Sequence, residues 1–455
     1  MCQTKAMVNK DLLNVLLITI DALRVDHLGC LKYGNTDTSN VDRLYESGIL
    51  FLQAISQSSH TPESFPAILA SIWPLKLKGS KFLPNEAVTI AEILKQAGYT
   101  TVAIHSNPYL SRAFNYHKGF DFFDDDLYLG SSRLSAFLKR ATNYIKVRPH
   151  LTAEEMNDKT IAWLKKHGSS KFFLWLHYMD PHGPYQPPRE YLAEFGISKH
   201  LSYRFMHRLW RRAKVNHSSV TEEERELLLK LYEAEIKYLD DQLGILFDKI
   251  KASGLFERTL IVITSDHGEA FGEHGKFDHP RQLYEENIHV PLLIICPSKL
   301  PAGKVISEQV RLIDLAPTIV DILNLDLNPN PFQGRSFLPL IRGEKNETPM
   351  VVSEVSGEDK EKNIKRFSVR GEGYKYIATF EAERITHEEL YNLENDPKET
   401  HNIIEKEPDR AESFRMQLEE HIRQNHHGMV QFQAEQVTLN EEVKDRLKAL
   451  GYIDD

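Results

Sequence analysis

Asp21 directly follows the apolar run Asn14 to Ile20, and Asp266 with His267 directly follows a second run, Leu260 to Thr264. Two carboxylates and an imidazole delivered by strand ends can converge at one edge of a sheet, and that donor set suits Zn²⁺ or Mn²⁺. Taken singly, an Asp at a strand end serves equally well as a helix cap. The segment S-S-H-T-P-E-S-F-P-A-I-L-A-S, residues 58–71, carries Thr61 in a polar loop that leads into a helix start. A hydroxyl there can ligate a metal as an alkoxide and attack phosphorus or sulfur, with N–H groups of the helix terminus holding ester oxygens. A plain N-cap at Thr61, with Ser64 in the first turn, accounts for the same residues. His177 and His182 lie in L-H-Y-M-D-P-H-G-P-Y, and His274 and His279 in G-E-H-G-K-F-D-H-P. Each can protonate a leaving oxygen or hold an anionic substrate. One loop histidine is usually a surface residue, but four in two segments that both follow predicted strands form a pattern.

These residues need a scaffold that brings distant strand ends together. Short β-rich runs at Asn14 to Ile20, Thr101 to Ile104, Phe172 to His177, Leu260 to Thr264 and Val290 to Ile295 alternate with helical patterns, the first helix starting near Ser39. Runs apolar on both faces and separated by helices predict a parallel sheet covered on both sides, an α/β fold, with ligands at the carboxyl ends of its strands. Leu229, Tyr232, Ile236, Leu239, Leu243, Leu246 and Ile250 recur at steps of three and four, which predicts a core helix from about Glu222 to Ala252 stopped by Gly254. After about Gly343 the texture changes to alternating segments (Arg366 to Arg370, Tyr374 to Ala378) followed by a polar helix, so a catalytic domain over 1–345 and a smaller C-terminal α+β subdomain over 346–455 are expected.

With 455 residues the chain can bury a large core, and its formal net charge of −9 argues against a surface built for nucleic acid. Cys2, Cys30 and Cys296 show no C-x-x-C spacing, so neither a disulfide framework nor a structural zinc site is indicated. No apolar run reaches the roughly 20 residues that span a bilayer. The run Leu12 to Ile20 lacks a small-residue cleavage site and reads as a strand rather than a signal peptide. A cytoplasmic location is the expectation, and oligomeric state is left open.

The segments N-V-L-L-I-T-I-D-A-L-R-V-D-H-L-G-C, L-H-Y-M-D-P-H-G-P-Y, T-S-D-H-G-E-A-F-G-E-H-G and L-Y-E-E-N-I-H-V-P-L-L-I resemble the sulfatase family in order and spacing. E-L-Y-N-L-E-N-D-P-K-E-T-H-N and L-K-A-L-G-Y-I are similar to that family's closing segments, so the resemblance covers nearly the whole chain. It implies the three-layer, alkaline-phosphatase-like sandwich. It also implies a divalent metal held by Asp21, Asp266 and His267 together with Thr61 at the nucleophile position, and His182 and His279 lining the ester site. Asn107, in H-S-N-P-Y-L, falls where the family often contacts substrate, and Arg24, His177 and His274 join it as candidate substrate contacts. In two-metal relatives a set such as Asp180, His182 and His279 holds a second ion, which the resemblance leaves open here.

Two departures bear on chemistry. Neither Cys30 nor Cys296 lies in the C-x-P-x-R type sequence that is converted to formylglycine, and alignment on A-I-L-A-S puts Thr61 in the nucleophile slot with Phe65 where the motif arginine stands. A slip of one residue would bring in His60, an unusual nucleophile for this metal arrangement. Ala22 replaces the second Asp of the usual D-D pair, which removes an oxygen ligand from a Ca²⁺ site and favours Mn²⁺ or Zn²⁺. Both departures point from sulfate towards phosphate esters, diester or monoester, with Thr61 forming a covalent intermediate and with hydrolysis or phosphotransfer as the outcome. The alternatives are a sulfuric ester hydrolase without formylglycine and a non-catalytic, anion-binding member. Two basic segments, Arg133 to His150 and Arg204 to His217, read either as a lid for an anionic small molecule, lipid head group or polymer, with peripheral membrane contact, or as solvated helix faces.

Overall fold

The structure is a computed structural model and describes residues 13–31, 36–77, 80–125, 150–344, 350–357, 362–425, 439 and 441–452. Strands β1 (Asn14–Ile20), β2 (Ile49–Ile55), β3 (Thr100–His105), β4 (Phe122–Asp124), β5 (Phe172–Tyr178) and β6 (Thr259–Ser265) belong to one sheet. The short pair β7 (Ala270–Phe271) and β8 (Phe277–Asp278) stands apart from it, and β9 (His289–Ile295) and β10 (Lys304–Arg311) complete it. The sheet order is β10-β2-β9-β6-β1-β5-β3-β4. All its pairings are parallel except those of β9, which runs antiparallel to both β2 and β6.

Along β1, Val15 and Leu17 enter one core while Leu16, Ile18 and Ile20 enter the other, so each central strand is apolar on both faces. Helices cover the two faces and make a three-layer α/β sandwich. On one side lies Glu222–Ala252, capped by Thr221 and Glu224 in a reciprocal box and followed by Gly254 at φ +69°. Its Tyr232, Ile236, Leu239, Leu243, Leu246 and Ile250 are buried, as their spacing predicts. On the other side lies Thr61–Ala70, buried along its whole length.

A second, antiparallel sheet follows: β11 (Val351–Ser356), β12 (Ile364–Gly371), β13 (Tyr374–Glu381) and β14 (Arg384–Asn392), with the helix Pro408–Asn425 beside it. Val352, Phe367, Tyr376 and Leu390 share a core with Ala67 and Trp73 at the end of the Thr61 helix. Fully buried Lys375 bridges Glu285 at 3.1 Å and Glu399 at 2.8 Å, which ties this sheet to the turn that leads into β9. Beyond it, the helix Glu441–Ala449 returns to the large sheet and buries Val443 and Leu447 in its core.

Candidate active site

Asp21 and Asp266 sit side by side because β1 and β6 are neighbours in register, Ile20 opposite Ser265. The loop after β2 crosses the same edge, where the Ser56 hydroxyl donates to the Asp266 carbonyl at 2.5 Å, and it delivers Thr61 as the first residue of its helix. Asp21, Asp266 and His267 are fully buried and offer ligand atoms that all lie within 4.8 Å of one another.

Their hydrogen bonds fix which atoms face the centre. His267 Nδ1 lies 2.9 Å from the Gly268 carbonyl, which only accepts, so the ring proton is there and Nε2 presents its lone pair. Asp266 Oδ1 accepts from the backbone N–H of Ala22 at 3.3 Å and of His267 at 3.0 Å. Asp21 Oδ2 accepts from Asn107 Nδ2 at 2.8 Å and from His177 Nε2 at 3.2 Å. Among the described residues Asp21 Oδ1 makes no hydrogen bond and Asp266 Oδ2 makes no full one, with the Thr61 hydroxyl beside it. Burial pushes the Asp21 carboxyl up, but His182, His177 and His267 outweigh it and hold the group well below the usual range. Burial, then the neighbouring Asp21 charge, raises Asp266. Two buried carboxylates with orphaned oxygens and an imidazole lone pair between them are a donor set that fits one divalent cation.

Thr61 Oγ1 lies 3.2 Å from His267 Nε2. The helix start offers fewer anion-binding groups than expected: Pro62 has no N–H, and the N–H groups of Glu63 and Ser64 both bond to the His60 carbonyl. Phe65 is fully buried with its ring edge-on to His177 at 5.0 Å, so it gives that histidine apolar support. His60 lies edge-on to His279 at 4.8 Å, and burial together with Arg281 and His279 holds it well below its ordinary range.

His182 and His279 meet Nε2 to Nε2 at 3.0 Å, a contact that requires one shared proton. The His182 Nδ1 proton goes to the Gly183 carbonyl. Burial drives His279 well below its ordinary range; Asp278 opposes this, and Lys214, His267 and His182 add to it. Lys214, from the basic helix Tyr203–Val215, reaches Asp278 at 2.5 Å. Lys214 thus reaches the carboxylate next to His279, while Arg212 of the same helix pairs with Glu224 on its flank. The other basic segment, from residue 133, lies outside the described residues apart from His150.

Several sequence assignments find other partners. Arg24 is held by Asp26 at 2.6 Å and Glu273 at 2.8 Å, with its Nη1 also on the Glu269 carbonyl, so its charge is committed to two carboxylates, one in its own loop and one in the segment after β6. His274 pairs with Glu286 at 2.9 Å and stacks on Tyr284, on the face towards the second sheet. His177 stands behind Asp21, between it and Thr19, and orients the carboxylate rather than facing substrate. Asp180 Oδ2 caps the helix Ala153–His167 through Ala153 N–H at 2.8 Å, and among the described residues no second group of ligands converges. Asn107 spends its amide hydrogens on Asp21 and on Tyr452 Oη, the latter at 3.2 Å. Sequence reasoning does not reach Tyr452: its L-G-Y-I context carries no chemical signature, and 345 residues separate it from Asn107.

Residues 13–325 match the family model described as Sulfatase, and residues 272–428 match that of the N-sulphoglucosamine sulphohydrolase C-terminal region. The chain is 25% identical to arylsulfatase K of Xenopus laevis, over 89% of this chain and 81% of that protein. It is 32% identical to an N-acetylglucosamine-6-O-sulfatase of Bacteroides thetaiotaomicron, over 38% of this chain and 32% of that one. A solved structure of the phosphonate monoester hydrolase of Agrobacterium radiobacter aligns with TM-score 0.74 at 19% identity, covering 91% of this chain and 96% of that one.

Proposed function

The chain belongs to the sulfatase family of ester hydrolases, and from that premise we propose that it cleaves phosphate esters in preference to sulfate esters, with Thr61 as nucleophile. The observation that carries this reading is the Thr61 hydroxyl, 3.2 Å from the lone-pair nitrogen of His267 and adjacent to Asp266, in a site where no cysteine stands at the nucleophile position. Asp21, Asp266 and His267 would hold a divalent metal, Mn²⁺ or Zn²⁺ by donor type, which when bound supplies Lewis acidity to the ester oxygens and to the hydroxyl.

The chain's own residues do the rest. Thr61 Oγ1 forms a bond to phosphorus as the bond to the leaving oxygen breaks in line, and the hydroxyl proton passes to solvent. The leaving oxygen takes the proton shared by His182 and His279. Asn107 and His177 hold the Asp21 carboxylate in place throughout. Water then attacks the threonyl ester, giving a proton to the histidine pair while the Thr61 oxygen takes one back from solvent. A monoester substrate thus yields inorganic phosphate, a diester yields the remaining monoester, and an acceptor alcohol in place of water gives transfer.

The similar proteins include an arylsulfatase K and a phosphonate monoester hydrolase, which between them span sulfur and phosphorus esters, so both belong in the test. Metal-stripped protein is resupplied with Mn²⁺, Zn²⁺ or Ca²⁺ and assayed on aryl phosphate monoester, phosphodiester and sulfate ester substrates. Phosphate or phosphodiester turnover that needs Mn²⁺ or Zn²⁺ supports the proposal. Turnover of the sulfate ester alone would make the protein a sulfuric ester hydrolase that works without formylglycine.

A further inference from the structure

Asn107 has no hydrogen left for a substrate. Its two amide hydrogens go to Asp21 Oδ2 at 2.8 Å and Tyr452 Oη at 3.2 Å, and its Oδ1 accepts from the Tyr109 N–H at 2.9 Å. The phenol of Tyr452 is in the opposite condition. It has one O–H to give, a lone pair of its oxygen is taken by Asn107, and the Thr61 hydroxyl is within hydrogen-bonding reach. The Tyr452 ring centroid lies 5.3 Å from that of His182, 5.9 Å from that of His279 and 4.7 Å from that of Tyr109, so the ring packs beside the histidine pair.

The segment that carries Tyr452 is built into the protein. Val443, Leu447 and Leu450 are buried beneath it, and the Tyr109 hydroxyl donates to the Tyr452 carbonyl at 3.3 Å. Gly451 turns the chain at φ +68°, and a Cβ there would stand 2.8 Å from the Trp210 ring and 3.3 Å from Lys214 Nζ, so that turn has room for glycine alone. A removable plug would lack this anchoring.

We propose that Tyr452 is a substrate-contacting residue of the ester site, its phenol O–H donated to a non-bridging oxygen of the tetrahedral anion bound beside Thr61, with Asn107 as its positioning residue. This rests on the reading of Thr61 as the reacting residue, since the oxygen that meets the phenol is one attached to the atom Thr61 attacks. It extends the site to the chain's last described residues and makes recognition of the anion depend on a neutral donor.

The test uses full-length protein with Mn²⁺ supplied, comparing wild type with Tyr452→Phe, which keeps the ring against His182 and Tyr109 and removes only the hydroxyl. Calorimetric binding of inorganic phosphate is read beside kcat and KM. The hydrogen bond to a charged oxygen predicts a loss of about 10- to 100-fold in phosphate affinity and in kcat/KM at unchanged melting temperature and metal content. Asn107→Ala, which frees the phenol from its anchor, is expected to show a smaller loss in phosphate affinity than Tyr452→Phe. Phosphate affinity equal to wild type in Tyr452→Phe would overturn the inference, and tighter binding would make Tyr452 an occluding residue instead. Thr61→Ala run alongside separates the two readings. An active Thr61→Ala enzyme removes the nucleophile reading, whereas an inactive one beside an unimpaired Tyr452→Phe removes only the role given to the phenol.

Discussion

Asp266→Asn should stabilise the metal-free protein and abolish its response to metal. The substitution keeps the shape and the Oδ1 acceptor that serves the Ala22 and His267 N–H groups, and it removes one of two buried negative charges. The Asp21 and Asp266 ligand atoms lie within 4.8 Å, where like charges repel by about 3.5 kcal/mol or more at an effective dielectric of about 20. Burial and the Asp21 charge raise the Asp266 carboxyl, which relieves part of this repulsion in the metal-free protein. A gain of about 1–3 kcal/mol is therefore expected. The sign follows from linkage: a carboxyl raised in the folded state stabilises the fold at low pH and loses that contribution as pH rises from its unfolded value through its folded one. The advantage of the Asn variant should thus grow over that interval and level above it. Asp21, held low, works oppositely, contributing stability above its unfolded value that is lost on acidification. Thermal denaturation of both proteins at several pH values, with and without Mn²⁺ or Zn²⁺, reads all of this. At a free metal concentration about 1,000 times Kd the wild type should gain roughly 4 kcal/mol. An Asn variant less stable than wild type without metal, or stabilised by metal as much as wild type, would refute the picture of a like-charge pair relieved by a cation.

Gly268→Ala places a Cβ 2.0 Å from the Glu286 carbonyl, which must shift the segment carrying His267; metal affinity and melting temperature should both fall, the stability by about 1–3 kcal/mol. Lys375→Met leaves Glu285 and Glu399 buried without their shared cation, which should cost about 3–5 kcal/mol by chemical denaturation and loosen the turn into β9. His279→Gln should lower kcat by about 10²- to 10⁴-fold for a phenyl ester and much less for a p-nitrophenyl ester, since a good leaving group has little need of a proton; equal losses would take proton donation away from the histidine pair.

The convergence of Asp21, Asp266 and His267 was legible because the three residues follow two long apolar runs directly, and neighbouring parallel strands present those ends together. Strand β10 was hidden because it is a polar edge whose sequence K-V-I-S-E-Q-V-R leaves three residues exposed, and the reversed direction of β9 has no trace in an apolar run that reads the same both ways. Polar partners were the least legible feature. Arg24 offers a cation in sequence, but its partner Glu273 is 249 residues away, and the same separation problem hides the cap that occupies Asp180 and the approach of Tyr452 to Asn107. His177 lies inside a strand, so its ring lies behind Asp21 rather than in the pocket, a distinction that spacing alone does not carry.

The central claim, that Thr61 carries the transferred group, is tested most directly by quenching a single turnover of the metal-loaded enzyme with acid and locating the covalent adduct by peptide mass spectrometry. The account predicts a phosphoryl group on Thr61, absent in Thr61→Ala. An adduct on His60, or full turnover by Thr61→Ala, would contradict it.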